Sequence, residues 1–230
     1  MRRSKMLVMF ALALAGLWAG SANATLLGDA AVSYSAKSTV TVNGRSYAGM
    51  VFHIPGRDRH EQEIEGIAEV VILDGNAMRG WLMLPRLSSY VEFTFPRLMA
   101  ELNAQTLLRS PVGRATVNGV RTTKYRIDHT AADGMRATGF AWVSADGVLM
   151  RLAGDVMPPG ASRPTSIELE LDNLRLGRQD RALFDLPPGL TRLPGGALAP
   201  LLGGRAGCGH KKAGHPRMAG QSTARGPSSQ

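Results

Sequence analysis

The chain of 230 residues is 44% hydrophobic and 20% charged, which is typical of a folded globular protein and unlike a disordered or fibrous one. Its formal charge of +9 would suit a nucleic-acid-binding protein, but three basic residues near the N-terminus and five after Gly203 supply eight of those nine charges. The body between them is nearly neutral. The charge distribution therefore argues against nucleic acid as a partner.

The first 24 residues have the three parts of a secretory signal peptide. A basic stretch at 2–5 precedes an apolar run at 6–18, and the small residues at 22–24 form an Ala-x-Ala cleavage site. We expect cleavage after Ala24 and a periplasmic location, with a retained membrane anchor as the disfavoured alternative. No later apolar run is long enough to span a bilayer, so we expect a protein that is not integral to the membrane. Cys208 is the single cysteine, which excludes an internal disulfide.

The body, residues 25–194, is predicted to be a single domain of antiparallel strands. Turn dipeptides punctuate it at Asn43-Gly44, Pro55-Gly56, Asp74-Gly75, Asn118-Gly119, Asp133-Gly134 and Asp146-Gly147. Apolar and polar residues alternate over 32–42 and 167–172, as they do in strands with one buried face. We count about ten strands, and these predict a mainly β fold that forms an incomplete barrel or a strongly curved sheet.

One amphipathic helix is predicted within this β-rich body. Pro96 is suited to a first helical position, and Leu98, Met99 and Leu102 recur at helical spacing through residue 108. We expect this helix to cover one face of the sheet as a lid.

The search for catalytic motifs is negative. The sequence has no G-x-S-x-G, no phosphate-binding loop, no dinucleotide fingerprint and no H-E-x-x-H. His53, His60 and His129 could converge in space, but isolated strand histidines are usually packing or surface residues. We therefore expect no enzyme, no catalytic residue, no metal and no cofactor. A hydrolase with a site that sequence cannot reveal is the remaining alternative.

A charged stretch runs from Arg57 to Glu65, and residues of both strand parities in it are polar. This pattern predicts a solvated edge or projecting ribbon whose charges prevent edge-to-edge aggregation. A calcium site is a weaker interpretation, because carboxylates in a line do not converge on one ion. The stretch could instead contact a partner protein, and Arg57 and Arg59 are the candidate residues.

Methionines and aromatic residues are frequent in the body, and they suit either a packed core or a cavity for acyl chains of variable shape. Phe140 and Trp142 share one strand face, whereas Ala137, Gly139 and Ala141 lie on the other and would leave room beside a curved sheet. The residues predicted to line an acyl-chain cavity are Phe52, Trp81, Met83, Phe93, Met99, Phe140, Trp142 and Met150.

Three segments resemble the LolA-like periplasmic carriers and related outer-membrane lipoprotein-sorting proteins. They are residues 49–59 (GMVFHIPGRDR), residues 71–85 (a strand and Asp-Gly turn leading to WLMLP) and residues 184–189 (FDLPPG). The resemblance implies an incomplete antiparallel barrel closed by helices, with a hydrophobic cavity that shields lipid acyl chains in water. It therefore implies binding rather than bond breaking.

Two departures from that family leave the cargo open among lipoprotein, free lipid and a signalling partner. Ile54 stands where the dedicated carriers have an arginine, and residues 25–32 leave little room for their N-terminal helix. We expect a carrier or binding protein for a lipid or lipoprotein acyl chain. The alternative is a protein-interaction or sensing module of the same fold in the cell envelope, without lipid cargo.

The tail, residues 195–230, is rich in Gly, Ala, Ser and basic residues, and its composition predicts disorder. Cys208, His210 and His215 are a weak candidate for a soft-metal site. The basic residues of the tail could also contact an anionic membrane surface.

Overall fold

The computed structural model describes residues 30–64, 66–94, 110–131 and 134–195. The strands are β1 Tyr34–Val42, β2 Arg45–Ile54, β3 Arg57–Ile64, β4 Ile67–Asp74, β5 Arg79–Leu84, β6 Ser89–Thr94, β7 Ser110–Val117, β8 Val120–Thr130, β9 Arg136–Ser144, β10 Leu149–Met157, β11 Thr165–Leu176 and β12 Thr191–Leu193. Short 3₁₀ helices span Pro85–Leu87 and Arg181–Phe184. The predicted signal peptide, the predicted helix over 96–108 with Met99, and the tail after Gly195 lie outside the described residues.

The twelve strands form one curved sheet in the order β12-β6-β5-β4-β3-β2-β1-β11-β10-β9-β8-β7. Neighbouring strands are antiparallel except for β12, which pairs with β6 in parallel. Because β12 and β7 are the two ends of this order, the sheet is not closed into a barrel. The predicted fold class, a mainly β protein with a strongly curved open sheet, is confirmed. Two of the strands, β6 and β12, were not predicted.

Asn-Gly pairs make two of the hairpin turns, as the sequence predicts. Asn43 and Gly44 have φ angles of 48° and 78°, and Asn118 and Gly119 have 48° and 82°. Both central residues of a type I′ turn need positive φ, which asparagine and glycine tolerate best. These two turns therefore fix the register of β1 with β2 and of β7 with β8.

The two faces of the sheet differ in composition. Buried apolar side chains from every strand between β1 and β11 form one cluster, and its members Tyr34, Val71 and Leu169 lie on the face that we call the core face. The alternate residues lie on the outer face, where β11 presents Glu168 and Glu170 to solvent. The alternation predicted for β1 and β11 is confirmed, because Ile167, Leu169 and Leu171 are buried.

Adjacent glycines on β9 and β10 bring the two backbones unusually close. Gly139 is directly opposite Gly154, and a side chain at Gly139 would collide with the carbonyl oxygen of Ala153. Glycines at such positions allow a strand to bend sharply. This pair therefore contributes to the curvature of the sheet.

A second, smaller apolar cluster lies on the outer face. It contains Val70, Ile72 and Met83 and is covered by Leu186 and Leu190 of the segment that follows β11. We call residues 181–193 the closing segment. Among the residues that the structure describes, no helix has the length and apolar composition needed to cross a bilayer.

Candidate functional site

The core face becomes more exposed from one end of the strands to the other. At one end, which we call the closed end, Tyr34, Leu149 and Met150 have an exposed fraction of 0%. At the other end, near the Asn43–Gly44 turn, Ala137 and Val156 are half-buried. We call this second end the open end of the core face. Apolar side chains are accessible there while the rest of the face is packed.

The open end also has two positions without side chains. The register aligns Ile127, Gly139, Gly154 and Ile167 in one row across β8, β9, β10 and β11. The two glycines therefore lie between two isoleucines on the same face. Next to them, Ala137 is opposite Val156. The two isoleucines are themselves buried, with 6% and 9% exposed, and Ala137 and Val156 lie beside them at the half-buried rim.

Polar side chains form a buried stripe across the closed half of the core face. His53 on β2 accompanies Asp58, His60 and Gln62 on β3 and Glu69 on β4. Asp58, His60 and Glu69 have exposed fractions of 4%, 3% and 1%. We call these five residues the polar stripe. Buried polar groups of this kind are normally hydrogen-bonded, and their contacts decide their protonation.

The His53 ring is held between two oxygen atoms. Its Nε2 is 2.8 Å from the carbonyl oxygen of Ala30, and its Nδ1 is 2.8 Å from Oδ1 of Asp58. Because a carbonyl oxygen can only accept, Nε2 carries a proton and donates it. When Asp58 is ionised, Nδ1 must donate as well, so the ring is positively charged. The ring also stacks on Tyr34 with centroids 4.9 Å apart.

Two other members of the stripe have strongly altered acidity. Burial, helped by the positive charge of His53, lowers the pKa of His60 to about 3. Burial raises the pKa of Glu69 to about 7, although a hydrogen bond from Gln62 opposes the change. Both groups therefore favour their neutral form. Oε1 of Glu69 is buried and makes no hydrogen bond among the described residues.

The polar stripe does not have the geometry of a metal site. Within the described ranges, no group of three or more His, Cys, Asp or Glu side chains converges on one point. His53 and His60 lie on neighbouring strands, whereas His129 is on β8, opposite Ala137. The structure thus brings two of the three candidate histidines together, inside a packed face.

The prediction that the 57–65 stretch is a solvated edge or ribbon is wrong. β3 lies between β2 and β4, and its even-numbered residues Asp58 and His60 are buried. These residues were correctly identified as polar. The residues that they contact are on neighbouring strands, and the alternation of residues along one strand does not reveal which strands are its neighbours. Glu65 lies outside the described residues.

Arg57 and Arg59 contact the closing segment. The Arg59 guanidinium donates to the carbonyl oxygen of Leu183 at 2.9 Å and to Glu61 at 2.7 Å, and its side chain is 15% exposed. Arg57 lies 3.0 Å from Asp74 and 3.4 Å from Asp185. Two of the motif segments, 49–59 and 184–189, therefore meet on the outer face. Both arginines hold the chain's own closing segment.

The eight residues predicted to line a cavity are divided between the two faces. Phe93 and Met150 belong to the core-face cluster. Trp81 and Met83 lie on the outer face in the smaller cluster, and Phe52 is opposite Arg59 on that face. Phe140 and Trp142 are also on the outer face, opposite Arg126 and Lys124, and Trp142 packs against the edge of the main cluster as well. Met99 lies outside the described residues.

Sequence reasoning missed the polar stripe and the pairing of cations with Phe140 and Trp142. Residues 57–63 are polar at both odd and even positions, and this pattern could have indicated the polar stripe. The basic residues of β8 were visible too, but their alignment with the aromatic residues of β9 depends on the register between two strands.

No family model matches the sequence, and no curated protein matches it. Several solved structures are similar. The complex of Pseudomonas aeruginosa MucA/MucB is 13% identical with a TM-score of 0.43, over 81% of this chain and 62% of that chain. An uncharacterized conserved protein from Thermus thermophilus is 11% identical with a TM-score of 0.47, over 84% and 99% of the two chains.

A domain from Vibrio parahaemolyticus described as an outer membrane lipoprotein-sorting protein is 11% identical with a TM-score of 0.34, over 69% of this chain and 91% of that one. This chain spans less than two thirds of the MucB chain in the complex. The similarities concern the fold.

Proposed function

We propose that this protein is a periplasmic carrier that shields a lipid or lipoprotein acyl chain on the open end of its core face, in the sorting of lipoproteins within the cell envelope. The observation that supports the proposal is the change along the core face from fully buried to half-buried apolar side chains. An acyl chain needs apolar surface that is both continuous with a core and reachable from water.

The row of Ile127, Gly139, Gly154 and Ile167 gives such a chain a place to lie. The two glycines contribute no side chains to the face, and the isoleucines on either side offer apolar contacts. Each methylene removed from water is worth about 0.8 kcal/mol, so even a few buried methylenes give useful affinity. Of the predicted cavity residues, we assign Phe93 and Met150 to this same face, away from the open end.

A protein-interaction or sensing module without lipid cargo is the second candidate. The observation that favours it is the complete burial of the closed end, where Tyr34, Leu149 and Leu171 are packed like an ordinary core. If the half-buried residues of the open end are only the edge of that core and bind no ligand, the protein acts through another surface. Arg59 does not provide one, because it is engaged by the closing segment.

Lipid retention is the direct test. The protein is purified from the periplasm without detergent, and bound species are identified by native mass spectrometry and lipid extraction. The informative variant is Ala137→Asp, which places a charge on the half-buried open end where an unpaired carboxylate would have to be desolvated. Thr116→Asp is the control, because Thr116 is exposed and lies opposite Arg121 rather than another carboxylate.

The carrier proposal predicts an acylated species in the wild type and in Thr116→Asp, and its loss from folded Ala137→Asp. Protein that carries no lipid and takes up no fluorescent fatty acid would overturn the proposal and leave the interaction module as the better account. Equal retention by both variants would contradict the assignment of the open end.

A further inference from the structure

Five side chains on the outer face of β8, β9 and β10 form a continuous surface of cations and aromatic rings. Lys124 is opposite Trp142, Arg126 is opposite Phe140, and Trp142 is opposite Arg151. We call these five residues the cationic aromatic surface. It lies on the face opposite the proposed acyl-chain site, and the proposed carrier function does not use it.

The cations rest on the rings. Nζ of Lys124 is 4.0 Å from the centroid of Phe140 and 4.9 Å from that of Trp142. The guanidinium carbon of Arg151 is 5.2 Å from the Trp142 ring, and that of Arg126 is 6.0 Å from the Phe140 ring. These distances are those of cation–π contacts, which orient the charges without neutralising them.

Two of the three cations have no carboxylate partner in the described part of the chain. No ion pair joins Lys124 or Arg126 to an acidic residue there, whereas Arg151 lies 3.7 Å from Glu170 and 3.8 Å from Glu168. The surface is therefore positive at Lys124 and Arg126, and it is bordered by Asp128 and Asp155 in the next row and by the acidic residues of β11. An anionic partner would meet uncompensated charge at Lys124 and Arg126.

The backbone of these strands offers nothing to a peptide partner. β8 pairs with β7 and β9, and β9 pairs with β8 and β10, so their main-chain groups are already used in the ladders. A bound peptide could not add a strand here. Only side chains are available, and they are spread over a sheet face. Tryptophan with lysine and arginine is the combination that suits the headgroup region of a bilayer.

From these observations we infer that the cationic aromatic surface docks the protein on an anionic phospholipid membrane. Lys124 and Arg126 contact lipid phosphates, and the half-buried Trp142 and Phe140 sit at the headgroup level. Docking needs no cargo. It can therefore be tested on lipid-free protein, and its failure is distinguishable from failure of the carrier proposal.

The test is flotation of protein purified from the periplasm and freed of lipid, with vesicles of phosphatidylcholine alone and of phosphatidylcholine with 30% phosphatidylglycerol. The test variant is Lys124→Gln/Arg126→Gln. The control is Arg79→Gln/Arg178→Gln, which removes the same charge; Arg79 makes a similar contact with Trp81, at 5.0 Å, but on β5. The basic residues of the tail are unchanged in all of these proteins, so their contribution to vesicle binding is the same in each.

We expect binding to the anionic vesicles only, and about fivefold weaker binding for each cation removed from the surface. The control should bind like the wild type, and Lys124→Arg/Arg126→Lys should restore binding because it keeps both charges. Trp142→Phe should abolish the blue shift that anionic vesicles cause in tryptophan emission.

Equal losses in the test and control variants would overturn the proposal, because binding would then follow net charge. Binding that survives the test substitutions would overturn it as well. Capture of an acidic peptide such as polyglutamate without vesicle binding would instead make this a protein-docking surface. Circular dichroism of each variant establishes that it is folded.

Discussion

The imidazole of His53 and the carboxylate of Asp58 meet 2.8 Å apart on the core face, where the exposed fractions of the two side chains are 0% and 5%. The carbonyl of Ala30 accepts a hydrogen bond from the other ring nitrogen, so an ionised Asp58 implies a positively charged His53. A hydrogen-bonded polar pair thus lies among apolar side chains. It also connects the residues that precede β1 to the β2–β3 hairpin.

Breaking this pair should be much more costly than replacing it. Asp58→Leu or His53→Phe alone removes one partner and leaves the other polar group buried, at a cost of about 3–5 kcal/mol. The double variant leaves neither charge and should lose less stability than the sum of the single variants. Urea denaturation of all four proteins measures the coupling. Additive losses would show that the two side chains act independently.

The buried carboxyl of Glu69 should make the protein less stable as the pH rises. Its pKa is raised from 4.5 to about 7, so the folded state binds a proton that the unfolded state has released between these values. Stability from this group is therefore full below about pH 4.5 and lost as the pH approaches 7, by up to roughly 3 kcal/mol.

Glu69→Gln should remove that dependence and be more stable than the wild type at pH 8, because an amide keeps the shape without the charge. Glu63→Gln is the control, since Glu63 is exposed on the same hairpin. Thermal melts from pH 4 to pH 8 provide the measurement. A wild-type profile that is no steeper than that of Glu69→Gln would rule out a buried neutral carboxyl.

His60 should make the protein less stable as the pH falls. Its pKa is lowered from 6.5 to about 3, so the unfolded state takes up a proton first as the pH falls. Stability is fully present above about pH 6.5 and decreases towards pH 3, by up to roughly 5 kcal/mol. His60→Leu should flatten the profile in this window. In the wild type, the effects of His60 and Glu69 oppose each other between about pH 4.5 and 6.5.

His53→Phe supplies a second readout for His60. Because the charge of His53 contributes to the low pKa of His60, its removal should raise that pKa, which NMR titration of the His60 ring can follow. An unchanged titration would mean that burial alone determines the acidity of His60.

Much of the fold was predictable because local chemistry fixes it. The alternation in β1 and β11 and the Asn-Gly turns depend on neighbouring residues, and both were read correctly. β12 was missed because three residues carry no pattern, and it forms by pairing with β6, about a hundred residues earlier in the chain. Such pairing is decided by tertiary contacts.

The site was less predictable than the fold, because the alternation of residues along a strand assigns them to two faces but does not show which face packs in the core. Phe140 and Trp142 were correctly placed together, yet the register puts them beside Lys124 on the outer face. Asp58 and His60 were seen as polar, and polar residues in a strand normally indicate solvent. Their burial depends on His53 and on β4, which sequence spacing does not reveal.

The attachment of the closing segment should depend on the shape of the Arg59 side chain. One guanidinium nitrogen donates to the Leu183 carbonyl while Nε donates to Glu61, and beside them Phe184 is 1% exposed. A lysine has a single charged nitrogen and cannot span both acceptors from this position. Arg59→Lys should therefore cost about 1–3 kcal/mol, since a partly buried acceptor loses its donor.

Arg57→Lys should loosen the closing segment less, because the contact of Arg57 with that segment is a 3.4 Å ion pair to Asp185, which is 70% exposed, and a lysine keeps the charge that faces Asp74. Urea denaturation compares the two variants, and limited proteolysis within residues 186–193 reports whether the closing segment has been released. The expected result is faster cleavage in Arg59→Lys than in Arg57→Lys. Equal cleavage would show that packing of Phe184, Leu186 and Leu190 holds the segment without help from the Arg59 guanidinium.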